Sequence, residues 1–266
     1  MAQNTDSWYE ADARAAEYYD HIETGTDDIQ FIRSRVEGLA PLRILEPFCG
    51  TGRILIPLAQ DGHEIVGMDM ARHMLDRAKM KIAQLPNEVQ GRITLMRADV
   101  IACEWPKDFD VVVMGGNCFY ELATPEEQED CIASAAASLK VGGHVFVDND
   151  HMEGDLAPDW AKIDPEMRMK ELATFPDGVR LLGGCQTIGC DIPGRIWRAR
   201  RKTVLEFPDG RMLEREHVQQ KHPVSIVEVR GWLDAHGFVI EHCNETPSRA
   251  TYWAKKAARD ILPPIR

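Results

Sequence analysis

From Arg43 onward, apolar runs alternate with amphipathic stretches, and the alternation predicts strands and helices in turn. The run 43–47 (RILEP) reads as a short strand. It enters a glycine-bearing turn at 49–53 (CGTGR) and then an apolar helix to Gln60, which Asp61-Gly62 stops. Residues 63–69 (HEIVGMD) form the next predicted strand. A helix over 71–85 carries Ala71, Met74, Ala78, Ile82 and Leu85 on one stripe. Strands at 92–96 and 109–115 (FDVVVMG) follow. The helix over 124–139 has clear end signals: Thr124 as cap, Pro125 in the first turn, Glu127 completing a capping box, and Gly142-Gly143 as the stop. Residues 144–148 (HVFVD) are the fifth strand.

Fully apolar strands separated by helices predict an α/β fold, a doubly wound and mostly parallel sheet with helices on both faces. Right-handed crossovers gather the loops after the strands at one sheet edge, where ligands bind. After Asp150 the rhythm changes. Residues 151–221 alternate polar and apolar positions around turns such as Pro208-Asp209-Gly210, which predicts an inserted antiparallel sheet. The first rhythm returns with a helix over 225–236, ended by Gly237, and closing strands at 238–243 and 251–255. The core sheet then has seven strands. Four segments follow: 1–40, a core at 41–150, the insertion at 151–221, and 222–266 closing the core.

The chain has 266 residues, 44% of them hydrophobic, and a formal net charge of -12. That is the composition of a soluble globular protein and argues against nucleic-acid binding, which needs clustered Lys and Arg. The densest basic run, 195–202 (RIWRARRK), reads as basic strand. No stretch approaches the roughly 20 apolar residues of a membrane span. The first residues lack the apolar run of a leader, so a cytoplasmic location is expected. Seven cysteines without a CxxC pair read as reduced thiols, and no metal is expected.

The predicted strand ends carry the candidate chemistry. Gly50 and Gly52 let the backbone approach a ligand ahead of a helix. The third glycine of a dinucleotide fingerprint is replaced by Leu55, so the turn fits a ligand without a pyrophosphate. Glu46 would attract a cation and repel a phosphate. Asp69, 19 residues beyond Gly50, can accept from both hydroxyls of a ribose. Asp99 ends the loop after the third strand, within reach of an adenine amino group. Together the three acids describe a site for a nucleoside with a cationic group.

This order of motifs resembles the class I S-adenosylmethionine-dependent methyltransferases, through LEPFCGTGR, GMDMARHML, RADV, FDVVVMGGNCFYEL and LKVGGHVFVD. The resemblance implies S-adenosylmethionine as cofactor. Glu46, Gly50 and Gly52 would wrap its methionine part, Asp69 with Met70 its ribose, and Asp99 with Val100 its adenine. Gly116 and Tyr19 complete the cofactor side. The Gly-Asn-Xaa-Phe pattern at 116–119 is similar to small-molecule N-methyltransferases, including glycine N-methyltransferase. There, 1–40 is a helical lid, with Trp8, Tyr9, Tyr18 and Tyr19 as its aromatic patch, and 151–221 covers the acceptor. Asn117 and Tyr120 would orient the acceptor, with His151 as the candidate general base. Trp8, Tyr18, His217 and His222 would line the acceptor pocket.

One position departs from the pattern. Where glycine N-methyltransferases carry a basic residue that grips the acceptor's carboxylate, this chain has Asp150, which would favour an ammonium group instead. The expected function is N-methylation of a small amine or amino acid by in-line methyl transfer. The partner is a small-molecule acceptor, without nucleic acid or membrane, and a homo-oligomer is left open. The alternatives are S- or O-methylation of a small metabolite, or a non-catalytic S-adenosylmethionine-binding module. A nicotinamide-dependent oxidoreductase is disfavoured by the missing third glycine. Cys49 and Cys118 are read as small buried thiols, without a thiol relay.

Overall fold

A computed structural model describes residues 12–153 and 162–258. Two helices lead, α1 (Ala13–Ile22) and α2 (Asp27–Val36). Strand β1 (Arg43–Glu46) follows, then α3 (Leu55–Gln60), β2 (Glu64–Asp69), α4 (Arg72–Ile82), the single turn α5 (Asn87–Gln90), and β3 (Ile93–Arg97). Next come β4 (Phe109–Met114), a 3-10 turn at Cys118–Glu121, α6 (Pro125–Ser138) and β5 (Leu139–Asp150). The insertion contributes β6 (Lys170–Thr174), β7 (Arg180–Asp191), β8 (Ile196–Glu206) and β9 (Met212–Lys221). Helix α7 (Ile226–Ala235) and strands β10 (Phe238–Glu245) and β11 (Arg249–Lys256) complete the chain.

The main sheet has seven strands in the order β10-β11-β5-β4-β1-β2-β3. Strands β1 to β5 run parallel, whereas β11 is antiparallel to both β5 and β10. The cause is the short β10–β11 turn, closed by Thr246 N–H donating to the Arg249 carbonyl, because a hairpin returns antiparallel. β1 lies between β2 and β4, so the winding reverses there and opens a crevice at the strand ends.

β4 shows why these strands are apolar throughout. Val111, Val112, Val113 and Met114 are all buried, on alternating faces. Leu45, Val112, Val145 and Tyr252 pack in one cluster with α6 and α7, while Ile44, Val111, Val113 and Phe146 pack in the other with α2 and α3. Each fully buried side chain of this kind contributes about 1.5–3 kcal/mol.

The end signals act mostly as expected. Thr124 Oγ1 accepts from Glu127 N–H at 3.2 Å. The Glu127 carboxylate, however, reaches one residue further back and accepts from Ala123 N–H at 2.7 Å. Ser225 and Glu228 form a complete capping box on α7. One boundary differs. α6 stops at Ser138, ahead of Gly142-Gly143, and β5 begins at once. The reason comes from the far end of the chain: Lys256 Nζ donates to the carbonyls of Ala136 and Leu139 at 2.6 and 2.7 Å, satisfying the last helical turn.

The insertion is a four-stranded antiparallel meander, β6-β7-β8-β9. Its Pro208-Asp209-Gly210 turn places Gly210 at φ +86°. α1 docks on this sheet. Tyr18 packs on Phe175, Leu181 and Leu205, and Arg14 pairs with Asp177 at 2.7 Å.

Candidate functional site

The site begins where β1 ends. After Glu46 the chain passes through Gly50 at φ +52° and Gly52 at φ +83°. A Cβ on Gly52 would lie 2.7 Å from Leu55 Cδ2, so a larger residue must displace that side chain as well as adopt a strained φ. Asp69, at the end of β2, fastens the turn. Its Oδ2 accepts from Gly50 N–H at 2.9 Å and its Oδ1 from Ala71 N–H at 2.8 Å. Carboxylate oxygens each have a second lone pair, which leaves acceptor capacity for hydroxyl donors.

α1 crosses the same turn. The Asp20 carboxylate accepts from Thr51 Oγ1 at 2.5 Å, Arg77 Nε at 2.8 Å and Lys81 Nζ at 2.8 Å. Burial raises its pKa, but these donors together hold it below the ordinary value. Tyr19, one residue earlier, packs beside Gly50 and Met74. Burial pushes its hydroxyl up to about 12.

Behind the turn lies a buried charge cluster. Arg53 donates bidentately to Asp28, at 2.9 and 2.6 Å, and to the Gly25 carbonyl at 2.7 Å. This ties α2 to the glycine turn and to the β4 loop, where Arg53 Nη2 would stand 3.3 Å from a Cβ on Gly116. Glu46 is buried nearby, and its Oε2 has no hydrogen-bond partner. Burial drives its pKa well above the ordinary value; Arg53 opposes the shift, and Asp28 and Asp69 add to it. An orphaned buried carboxyl beside a glycine cradle is what a cationic ligand would satisfy, so these residues fit a sulfonium nucleoside with an ammonium tail.

The remaining residues expected on the cofactor side follow β2 and β3. Asp99 Oδ1 accepts from Ile101 N–H at 3.0 Å, shaping the loop after β3. The Val100 carbonyl accepts from Trp105 Nε1 at 2.8 Å, and the Met70 carbonyl from Arg97 Nε at 3.0 Å.

Where acceptor-side residues were expected, the β4 loop meets the end of β5. Asn117 takes the left-handed conformation at φ +62°, which asparagine tolerates. Its Nδ2 donates to Asp150 Oδ2 at 2.9 Å, and its Oδ1 accepts from Asp150 N–H at 2.9 Å. Asp150 also stands 3.8 Å from Arg249, whose guanidinium pairs bidentately with buried Asp148. Burial raises the Asp148 pKa against that pairing. Tyr120 follows in the 3-10 turn, its ring 4.7 Å from Lys221 Nζ. Burial and the charge of Asp150 push its hydroxyl up to about 12, against Arg195.

Three histidines were expected on this side, and the structure separates them. His222 is a correction: it is buried in the scaffold, with Nδ1 2.8 Å from Gln128 Oε1 and Nε2 3.2 Å from Glu228 Oε1, so both ring nitrogens are committed. His151 engages one ring nitrogen and leaves the other, Nδ1, without a hydrogen-bond partner. Its Nε2 lies 2.7 Å from the Thr246 carbonyl and its Nδ1 3.4 Å from Glu153, turning the buried ring toward the β10–β11 turn. His217 lies on β9 opposite Arg201, within the inserted sheet. Trp8 lies outside the described residues. Tyr18 sits between α1 and the insertion. Arg195 and Arg198 carry no free grip: Arg195 Nη2 donates to the carbonyls of Met152 and Pro223, and Arg198 Nε to Gln220.

Sequence reasoning missed Asp28, Asp20, Arg249 and Lys221. Arg53 stood in the glycine motif but carried no assigned role. Its partner Asp28 is 25 residues away, so no local spacing could reveal the pair. For Lys221 the only signal was its place at the end of the insertion.

Comparison with known proteins gives the following likenesses. Residues 44–143 match the family described as "Methyltransferase domain". That segment of the chain is similar to a methyltransferase domain. It is 29% identical over 121 residues to a ubiquinone biosynthesis O-methyltransferase of Proteus mirabilis, covering 44% of this chain and 46% of that protein. It is also 29% identical over 140 residues to the cypemycin N-terminal methyltransferase of a Streptomyces species, covering 52% of this chain and 55% of that protein. The matches thus span about half the length of these relatives. Among solved structures, the CcbJ methyltransferase from Streptomyces caelestis superposes with a TM-score of 0.69 at 18% identity, covering 95% of this chain and 99% of that one. A sugar N-methyltransferase from Streptoalloteichus gives 0.69 at 18% identity, covering 97% and 99%. The methyltransferase likeness therefore extends in fold over the insertion and α1. Among the described residues, no helix is long and apolar enough to cross a membrane.

Proposed function

We propose that this chain is an S-adenosylmethionine-dependent methyltransferase of small molecules, and that it methylates the nitrogen of an amine or amino acid. The observation that carries the reading is the buried Glu46 carboxyl, whose Oε2 has no hydrogen-bond partner, at the strand end that leads into the Gly50–Gly52 cradle. That donor set suits a cation and a ribose and has no place for a pyrophosphate.

In this reading Glu46 meets the ammonium of the cofactor's methionine part, Asp69 its ribose hydroxyls, and Asp99 with Val100 its adenine. When bound, the cofactor supplies an electrophilic methyl group on a sulfonium. The chain's own work is positional. In-line displacement needs the nucleophile within about 3–3.5 Å of the methyl and aligned with it. Asn117 and Asp150 present polar atoms to an acceptor from a locked loop, and Tyr120 adds a hydroxyl kept protonated by its raised pKa. α1 and the inserted sheet exclude water. His151, whose Nδ1 has no hydrogen-bond partner, is the candidate base, and an amine that enters neutral needs none. The division into lid (1–40), core (41–150 and 222–266) and acceptor cover (151–221) belongs to the same proposal.

The sugar N-methyltransferase and the N-terminal methyltransferase among the neighbours support nitrogen as the acceptor atom. The ubiquinone O-methyltransferases support the rival, oxygen. The test is S-adenosylhomocysteine release with three acceptor sets: small amines, amino acids and phenols. Release with either nitrogen set is expected; release with phenols alone would overturn N-methylation.

A further inference from the structure

On the inserted sheet, the cations of β8 divide by face. Arg200 pairs with Glu216 and Lys202 with Glu214, while Arg198 donates to Gln220; all three point to one face. On the opposite face the register sets Trp197 against Lys221, Ala199 against Gln219 and Arg201 against His217. Here the pairing stops. Among the described residues, neither Lys221 nor Arg201 has a carboxylate within ion-pair distance. Arg201 Nε and Gln219 Oε1 are buried without any hydrogen-bond partner.

In a chain with 43 acids and 31 bases, two unpaired cations on one half-buried face are unexpected. Leaving buried charge and polar atoms unmatched costs several kcal/mol unless something binds there. Lys221 Nζ faces the Tyr120 ring at 4.7 Å, which places this face against the acceptor side of the site. Burial lowers the Lys221 pKa and Arg201 adds to it, while the charges of Glu121 and Asp150 oppose the shift without pairing with the ammonium, so an anion in contact with it would relieve the burial cost.

We propose that Lys221 and Arg201 form an anion grip that selects acceptors carrying a carboxylate beside the methyl-accepting nitrogen. With Asp150 some way across the Tyr120 loop as the counter-charge for an ammonium, the acceptor class is a zwitterionic amino acid. Lys221 supplies a point charge beside Tyr120, and Arg201, four residues along β8 from Trp197, the partner of Lys221, reaches toward the same face with a planar fork. This inference rests on the methyltransferase reading and fixes the acceptor's second charge.

The test is steady-state S-adenosylhomocysteine release with a panel of amino acids, each compared with its carboxamide. Wild-type protein should show KM at least about tenfold lower for the carboxylate member of the best pair. Lys221→Met should raise that KM about 10- to 100-fold, with little change for the carboxamide, and Lys221→Arg should recover most of the loss. Recovery by Arg separates a charge grip from proton abstraction, because a guanidinium is never deprotonated. Equal KM values for carboxylate and carboxamide would overturn the grip and leave the methyltransferase reading intact. So would a loss of kcat in Lys221→Arg, which would make Lys221 a base. Absence of turnover with every acceptor, together with absent S-adenosylhomocysteine binding by calorimetry, would remove the reading beneath it. Absence of turnover with that binding intact would overturn the grip alone. Thermal melting of each variant separates misfolding from lost selectivity. If Lys221→Met unfolds, Arg201→Gln should show the same KM split.

Discussion

Asn117 and Asp150 hold each other through two hydrogen bonds, amide to carboxylate at 2.9 Å and backbone N–H to amide oxygen at 2.9 Å. The first residue follows β4 and the second ends β5, so the pair fixes the loop beside the acceptor to the strand next to it. Asp150 therefore faces the site already partly satisfied, as a located charge rather than a mobile one.

Asn117→Gly keeps the left-handed backbone and removes only the side chain. Two hydrogen bonds, one of them charged, are worth about 1–3 kcal/mol at a partly exposed site. A fall in kcat/KM of about tenfold or more is expected, with S-adenosylhomocysteine affinity changed less than about threefold. Steady-state kinetics and calorimetry check it; equal losses in both would mean the pair serves the cofactor side.

Gly52→Ala meets two penalties at once. Alanine at φ +83° is strained, and its Cβ would stand 2.7 Å from Leu55 Cδ2. A loss of about 1–3 kcal/mol in urea denaturation is expected, together with weakened cofactor binding, because the cradle itself moves.

Much of the fold was legible because it depends on local pattern. β4 is buried on both faces and reads as an unbroken apolar run, and the glycine turn announces itself because only glycine fits Gly52. What was not legible depends on distant partners. The end of α6 is set by Lys256, and β5 starts five residues earlier than its apolar run because Phe109 of β4 pairs with Leu139. Within the insertion, the β8–β9 hairpin had a turn signal, but β6 and β7 were not resolved from sequence. His151 and His222 look alike as polar residues near a site; only the structure shows that His222 has both ring nitrogens committed, whereas His151 engages Nε2 and leaves Nδ1 without a hydrogen bond.

Asp28→Ala would leave Arg53 uncompensated among α2, the glycine turn and the β4 loop. The side chains are 16% and 5% exposed for Arg53 and Asp28, so solvent screens the pair little. Breaking such a pair costs about 3 kcal/mol or more. Chemical denaturation should show that loss, and Asp28→Asn, which keeps one hydrogen bond, should lose less.

Glu46 makes a pH-dependent prediction. Its folded pKa lies above its unfolded value of about 4.3, because burial disfavours the charged form. Its stabilising contribution is therefore full below that unfolded value and is lost as pH rises through the folded pKa. Glu46→Gln should raise the melting temperature of the ligand-free protein at pH 8, with little change at pH 4. The same variant should lose most of the stabilisation that S-adenosylmethionine gives. A scanning calorimetry series across pH tests both parts.

The central claim is that the ends of β1 and β2 hold S-adenosylmethionine. Isothermal calorimetry of wild-type protein and Asp69→Ala against S-adenosylhomocysteine and NAD tests it most directly. The account predicts one-to-one binding of S-adenosylhomocysteine to wild type, at least about tenfold weaker binding to the variant, and no binding of NAD. Binding of NAD without S-adenosylhomocysteine would contradict it.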